Sequence, residues 1–209
     1  MIIAVDGPTA SGKGTIAKAL AAHFGLPHLD TGLLYRAVGR QVQLNGGDPD
    51  NAVDAEAACQ FPDDLLADPA LRSEETGGLA SRVSIHPAVR HALYKRQRTF
   101  ATQAGGAVLD GRDIGTIIAP EADVKLFITA SVHERARRRW LEMRGREIET
   151  PLEEIQHDIV KRDERDISRK DAPLRAAPVA LVIDTTSLDK EQAIEMAIEA
   201  VQARLAGQD

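Results

Sequence analysis

Nine consecutive residues carry the first recognisable chemistry of this chain: Gly7, Pro8, Thr9, Ala10, Ser11, Gly12, Lys13, Gly14 and Thr15. Four residues separate Gly7 from Gly12, and Lys13 follows at once. The loop comes directly after the branched apolar run Ile2–Val5 and directly before Ile16, Leu20 and Phe24, which recur every fourth residue. That places it between a strand and a helix, the context in which such a motif binds phosphate. Backbone N–H groups can curl around phosphate oxygens, the helix dipole adds positive potential, and Lys13 can reach a β/γ-phosphate. All nine residues are therefore candidates for binding ATP.

The residue after Lys13 is Gly14, so the hydroxyl arrives one place later, at Thr15. In the commoner phosphate loops the residue next to the lysine binds Mg²⁺. The Gly-Lys-Gly-Thr order instead resembles nucleoside monophosphate kinases, where water and phosphates hold most of the metal. The expectation is ATP as co-substrate with Mg²⁺, no firm protein ligand to the metal, and Thr15 on the α/β-phosphates. Neither asparagine, Asn45 or Asn51, begins the Asn-Lys-x-Asp base reader of GTPases, and no Leu-Ser-Gly-Gly-Gln transporter signature occurs. A small-molecule kinase is the class that remains.

Three further blocks put polar residues where a core would want apolar ones: Asp30-Thr31-Gly32 with Tyr35 and Arg36, then Asp110-Gly111-Arg112-Asp113-Ile114-Gly115-Thr116, then Arg162, Asp163, Arg165, Asp166 and Arg169. Four apolar runs read as buried parallel strands: Ile2–Val5, Ala107–Leu109, Val124–Ile128 and Val179–Ile183. Pro27–Leu29 is a weaker fifth. Helical patterns lie between them, and Ile194, Ile198, Val201 and Leu205 make the last. Strands alternating with helices give an α/β class, a five-stranded parallel sheet covered on both faces. Ligands in such sheets bind beyond the C-terminal strand ends, where the first two blocks and the phosphate loop emerge.

From about residue 39 to 102 no buried strand is visible, and Asn45–Asp50 and Phe61–Asp64 are turn chemistry. This stretch reads as an inserted acceptor-binding lobe, with a helix over Val89–Phe100. The core would be 1–38, 103–143 and 158–209, with a short lid at about 144–157. Arginines crowd at 135, 137, 138, 139, 144 and 146. Positions 135, 138 and 139 share a helix face, and Met143–Glu147 looks like a mobile flap whose arginines could close over a γ-phosphate.

The formal net charge of −6 argues against a general nucleic-acid binder. Cys59 is the sole cysteine, which excludes an internal disulfide framework and fits a reducing, cytoplasmic setting; it reads as a small buried hydrophobe. No histidine has a partner at zinc-ligand spacing, and no apolar run is long enough to span a bilayer. Without a long exposed apolar stripe, a monomer is the default expectation.

At the phosphate loop and the three polar blocks, the chain closely resembles bacterial cytidylate kinases. The likeness extends through Val124–Phe127, Ala130-Ser131, Glu134–Arg139, Ala172-Pro173-Leu174 and Asp184-Thr185-Thr186. The resemblance implies a P-loop kinase fold and phosphorylation of CMP and dCMP by ATP. It also implies residue roles. Ser81, Arg90 and Asp113 would read cytosine, and Arg36, Arg112 and Arg169 would hold the acceptor phosphate. Arg162 and Asp166 would hold the ribose hydroxyls, while Thr31 and Tyr35 would line the pocket. Lys13, Arg112 and Arg169 would act on the transferred group.

Cytosine chemistry agrees, because a carboxylate can accept from its amino group and an arginine can donate to N3 and O2. Structural readings stand beside these roles. Asp30 and Thr31 could cap a helix, Asp113 could pair with Arg112, and the block from Arg162 to Arg169 could be a solvated helix face. One departure from the family is clear. Its inserted lobe usually contains a small antiparallel sheet, whereas Asp54 to Gly78 shows no β-alternation, so helices and loops are expected here. The remaining rivals are a kinase for another small acceptor, such as AMP, UMP or shikimate, and a regulator that binds nucleotide without transferring phosphate.

Overall fold

A computed structural model describes residues 1–207. The chain forms two compact units, one made of residues 1–28 with 101–209 and the other of residues 29–100.

The first unit is built on a sheet in the order β2-β3-β1-β4-β5, in which β1 pairs in parallel with β3 and β4, and β4 in parallel with β5. The strands are β1 (Ile2–Asp6), β2 (His28–Asp30), β3 (Ala107–Gly111), β4 (Val124–Thr129) and β5 (Leu181–Asp184). In chain order the helices of this unit are α1 (Lys13–Phe24), α6 (Val132–Arg144), α7 (Leu152–Ser168) and α8 (Lys190–Ala206). Ile3, Val5, Leu20, Leu126, Ile128 and Val201 form its core. Of the three inner strands, β1 and β3 bury both faces, as continuous apolar runs require, while β4 alternates buried with half-buried residues. Helix α8 begins with a capping box, in which Asp189 accepts from the N–H of Gln192 and the Gln192 side chain returns to the N–H of Asp189.

Helix α7 explains how charged residues come to lie inside. Ile155 and Ile159 are buried with Ala136 and Met143 of α6. The same stripe then continues through Arg162, Asp163 and Asp166, at 9%, 9% and 5% exposure. A solvated helix face is therefore ruled out for this block. Met143 is 7% exposed and packs within α6, and residues 145–151 join α6 to α7.

The second unit is helical, with α2 (Thr31–Leu44), α3 (Ala52–Ala57), α4 (Glu74–Val83) and α5 (Pro87–Ala101) joined by short 3-10 turns. No strand lies wholly within it among the described residues. Leu34, Val38, Val42, Leu71, Val83, Val89 and Leu93 form its core.

Two expectations need correction. The fifth strand starts at Leu181 rather than Val179, because Val179 is 72% exposed with a left-handed φ of 58° and the N–H of Ala180 turns back to Ala177. Cys59 is half-buried rather than buried, and its Sγ donates to the Ala55 carbonyl. Desolvation, with Glu56 nearby, pushes its thiol up to about 11, which keeps it protonated and unreactive.

Candidate functional site

The phosphate loop begins where β1 ends. Gly7 cannot carry a side chain, because a Cβ there would lie 2.1 Å from the Ile128 carbonyl oxygen of the neighbouring strand β4. At the far end Gly12 caps α1 with φ 87° and no side-chain hydrogen bond, which leaves the first N–H groups of α1 for a ligand. Ser11 is 1% exposed, and its Oγ has no partner among the described residues. A buried hydroxyl in that state is costly unless an acceptor arrives, and a phosphate oxygen is such an acceptor. Lys13 Nζ reaches back to the Pro8 carbonyl, 3.2 Å away.

Thr9 is held through every polar group it has. Its hydroxyl accepts from Arg112 Nη2 at 2.9 Å, its carbonyl from Arg135 Nη1 at 2.9 Å, and its N–H donates to Asp163 Oδ1 at 3.4 Å. The holders are themselves paired, Arg135 with Asp163 at 2.7 Å and Arg112 with Asp166 at 2.7 Å. Arg135 also donates to the Ala130 carbonyl. These pairs are largely buried, and each has further hydrogen bonds to offset its desolvation. Burial works against the charge of Arg112, but Asp166, Asp163 and Asp110 together outweigh it and hold its pKa above the ordinary value. For Arg162 burial wins, and its pKa falls below the ordinary value despite Asp158, Asp166 and Asp163. Arg169 Nη1 lies 3.8 Å from Asp166 Oδ1.

The first unit therefore brings Arg112, Asp166 and Arg169 together beside the phosphate loop, with Arg162 in the same charged group. Arg112 is committed to Asp166. Asp113 is 4% exposed, at the start of a π-helical turn, Ile114–Ile118, that follows β3. Thr31, Tyr35, Arg36, Ser81 and Arg90 all stand in the second unit, on α2, α4 and α5. There Thr31 is the first residue of α2 and 3% exposed, and the Asp30 side chain makes no capping bond. Arg36 Nη1 donates to the carbonyls of Leu71 and Ser73, both at 2.9 Å.

Most of the clustered arginines rest on carboxylates of α6. Arg137 and Arg138 pair with Glu134, and Arg139 and Arg146 with Glu142. Arg144 lies over the Trp140 ring, 4.7 Å from its centroid. Arg138 also holds the loop after β5 through Thr185 Oγ1 and the Thr185 carbonyl.

Sequence reasoning passed over Asp6, and it named Arg135 and Asp163 without giving either a role of its own. Asp6 ends β1 and is 2% exposed, and its oxygens accept from the N–H groups of Ile114 and Gly115, each at 2.8 Å. Desolvation raises its pKa to about 7; the two backbone bonds and Lys13 oppose the rise, and Asp113 adds to it. Between pH about 4 and about 7 the folded protein thus binds a proton at Asp6 that the unfolded chain has released. This residue's contribution to stability must fall as pH rises through that window and level off above it. The melting temperature of Asp6→Asn relative to the parent should accordingly climb between pH 5 and pH 8. A gap that stays constant, read by differential scanning calorimetry, would contradict this titration.

A parallel sheet with a phosphate loop leaving its central strand, and a buried arginine–carboxylate group beside that loop, define a P-loop phosphotransferase fold. Comparison with known proteins narrows it. The cytidylate kinase family model matches residues 3–203, and the chain belongs to that family. A cytidylate kinase of Cereibacter sphaeroides is 55% identical over 204 residues, covering 98% of this chain and 96% of the relative. That of Xanthobacter autotrophicus is 53% identical over 99% of this chain and 100% of its own. Among solved structures, an uncharacterized protein from Eubacterium ventriosum superposes with a TM-score of 0.57 at 16% identity, covering 97% of this chain and 99% of its own, a likeness of fold alone.

Proposed function

We propose that this chain transfers the γ-phosphoryl group of ATP to the 5′-phosphate of CMP or dCMP, giving ADP and CDP or dCDP. Family membership supports the reaction. The observation that carries the site reading is Arg112, which bonds at once to Thr9 of the phosphate loop and to Asp166 of α7. An arginine so placed can meet an acceptor phosphate beside the donor loop. The acceptor is already anionic, so no strong base and no covalent intermediate is needed, and positioning with charge neutralisation supplies the rate.

In this reading Lys13 neutralises the transferred group, and Arg36, Arg112 and Arg169 take the acceptor phosphate. Arg162 and Asp166 take the ribose hydroxyls. Asp113, Ser81 and Arg90 read the base, and Thr31 and Tyr35 line the pocket. Among the described residues no group of three or more His, Cys, Asp or Glu could hold a metal. Mg²⁺ suits such a donor set, since it keeps waters and binds through substrate phosphates with few protein carboxylates. Asp110, whose Oδ2 lies beside Gly14 and whose Oδ1 pairs with His28 Nε2 at 2.7 Å, is a carboxylate near the loop. Mg²⁺ would supply charge neutralisation on the phosphates. No helix of the described residues is long and apolar enough to cross a membrane. A monomer acting in the cytoplasm completes the reading.

An ADP-release assay across CMP, dCMP, UMP, AMP and shikimate tests the acceptor, and a preference for anything but a cytidine nucleotide would sink it. Single-turnover formation of CDP separates an enzyme from a nucleotide-binding regulator. Asp113→Ala should lower kcat/KM for CMP by about 100-fold, since the base would lose its charged partner, with KM for ATP within about twofold. Equal losses for both substrates would assign Asp113 a structural role.

A further inference from the structure

Asp6 stands outside every role assigned so far, yet it is the most deeply buried carboxylate of the chain's central strand. A carboxylate at 2% exposure costs several kcal/mol unless its oxygens are satisfied. Each oxygen takes one backbone N–H, those of Ile114 and Gly115, consecutive in sequence and 108 and 109 residues away. These are the first donors of the π-helical turn Ile114–Ile118, whose N-terminal flanking residue is Asp113.

A carboxylate at that flanking position ordinarily turns back to cap such donors. Asp113 makes no capping hydrogen bond, because Asp6 caps the turn from another strand. The backbone at Asp113 is fixed from its other side too. Its carbonyl accepts from the N–H groups of Ile117 and Ile118, at 2.9 and 3.2 Å, and from Thr116 Oγ1. Asp113 is thereby held at φ −147°, ψ 23°, away from helical geometry, with its side chain spared from capping. Gly115 is matched to the clamp, since a Cβ there would lie 3.4 Å from Asp6 Oδ2 and 3.2 Å from the Ala177 Cβ.

We infer that Asp6 is a positioning residue for acceptor recognition: its carboxylate, at the root of the donor loop, fixes the backbone on which Arg112 and Asp113 are carried. This rests on the reading of Asp113 as an acceptor contact. Only a carboxylate can do it with both oxygens, since Asn would set its own NH₂ against one of the two N–H groups. The burial that raises the Asp6 pKa is the cost of that placement.

The test is a double-mutant cycle at pH 8, where parental Asp6 is mostly ionised, using whichever nucleoside monophosphate the parental enzyme accepts best. Asp6→Asn should raise KM for the acceptor about tenfold, the loss of one charge-assisted bond, and leave KM for ATP within about twofold. In an Asp113→Ala background the same change should add less than about twofold, because the clamp acts through residue 113. Multiplying effects, or a parallel rise in KM for ATP, would overturn the proposal. Should Asp6→Asn fail to give a cooperative melt, Gly115→Ala in the same cycle decides, since its Cβ, 3.2 Å from the Ala177 Cβ and 3.3 Å from Lys125 Cδ, crowds the segment whose N–H Asp6 holds. A parental preference for a non-cytidine acceptor would refute the acceptor reading alone, and the cycle would still decide the role of Asp6.

Discussion

Replacing Lys13 by methionine should lower kcat by about a thousandfold, the loss that follows removal of one preorganised charge aimed at a developing oxyanion. The methionine keeps the length and apolar stem of the side chain, so the melt should change by no more than about 1 kcal/mol. ATP binding should weaken less than turnover falls, because backbone N–H groups of the loop hold the phosphates in the ground state too. Equilibrium binding of ATP and single-turnover kinetics separate the two. A variant that binds ATP poorly and turns over normally once saturated would show that Lys13 serves affinity rather than rate. Lys13 also lowers the Asp6 pKa, so the methionine variant should hold its Asp6 proton to a higher pH.

Arg112→Ala should be the most damaging single change, for it strikes activity and stability together. Its Nε bond to Asp166 is 2.7 Å, and the Asp166 side chain is only 7% exposed. Removing the arginine leaves that carboxylate buried without its partner and releases the Thr9 hydroxyl. Breaking one side of such a pair costs about 2–4 kcal/mol, somewhat discounted here because the Arg112 side chain is 24% exposed. Loss of its donors to the acceptor phosphate should remove a further factor of about 100 to 1,000 from kcat/KM. Arg112→Lys should recover part of the stability and little of the activity, since a point charge cannot replace a planar fork. The decisive comparison is the pair Arg112→Ala with Asp166→Ala, expected to restore the melt without restoring turnover. Recovery of both would reduce Arg112 to a structural ion-pair partner.

The sheet was legible because buried parallel strands are short, branched and apolar; Ile2–Val5 meets all three conditions, and Val124–Ile128 meets them but for Lys125. Val179 deceived for the same reason. It is apolar, but it lies exposed in a turn, and composition alone does not register backbone handedness. Helix α7 was legible as a helix, while its charged half was ambiguous. The spacing of Ile155, Ile159, Arg162 and Asp166 shows one stripe, but only the placement of Arg112 and Arg135 explains why that stripe stays buried past the last isoleucine. Asp6 was hidden more deeply. A carboxylate at the end of an apolar strand reads as the first polar residue of a loop, and its partners are backbone groups more than a hundred residues away, which no side-chain pattern announces.

The threefold grip on Thr9 has a consequence for how such a protein can change over generations. Its three polar groups answer to Arg112, Arg135 and Asp163, which come from separate segments of the first unit. A drift in any of them is felt at the donor loop, so selection acting on that loop would police all three segments at once. A lineage that keeps its donor loop would therefore have to keep these three segments together.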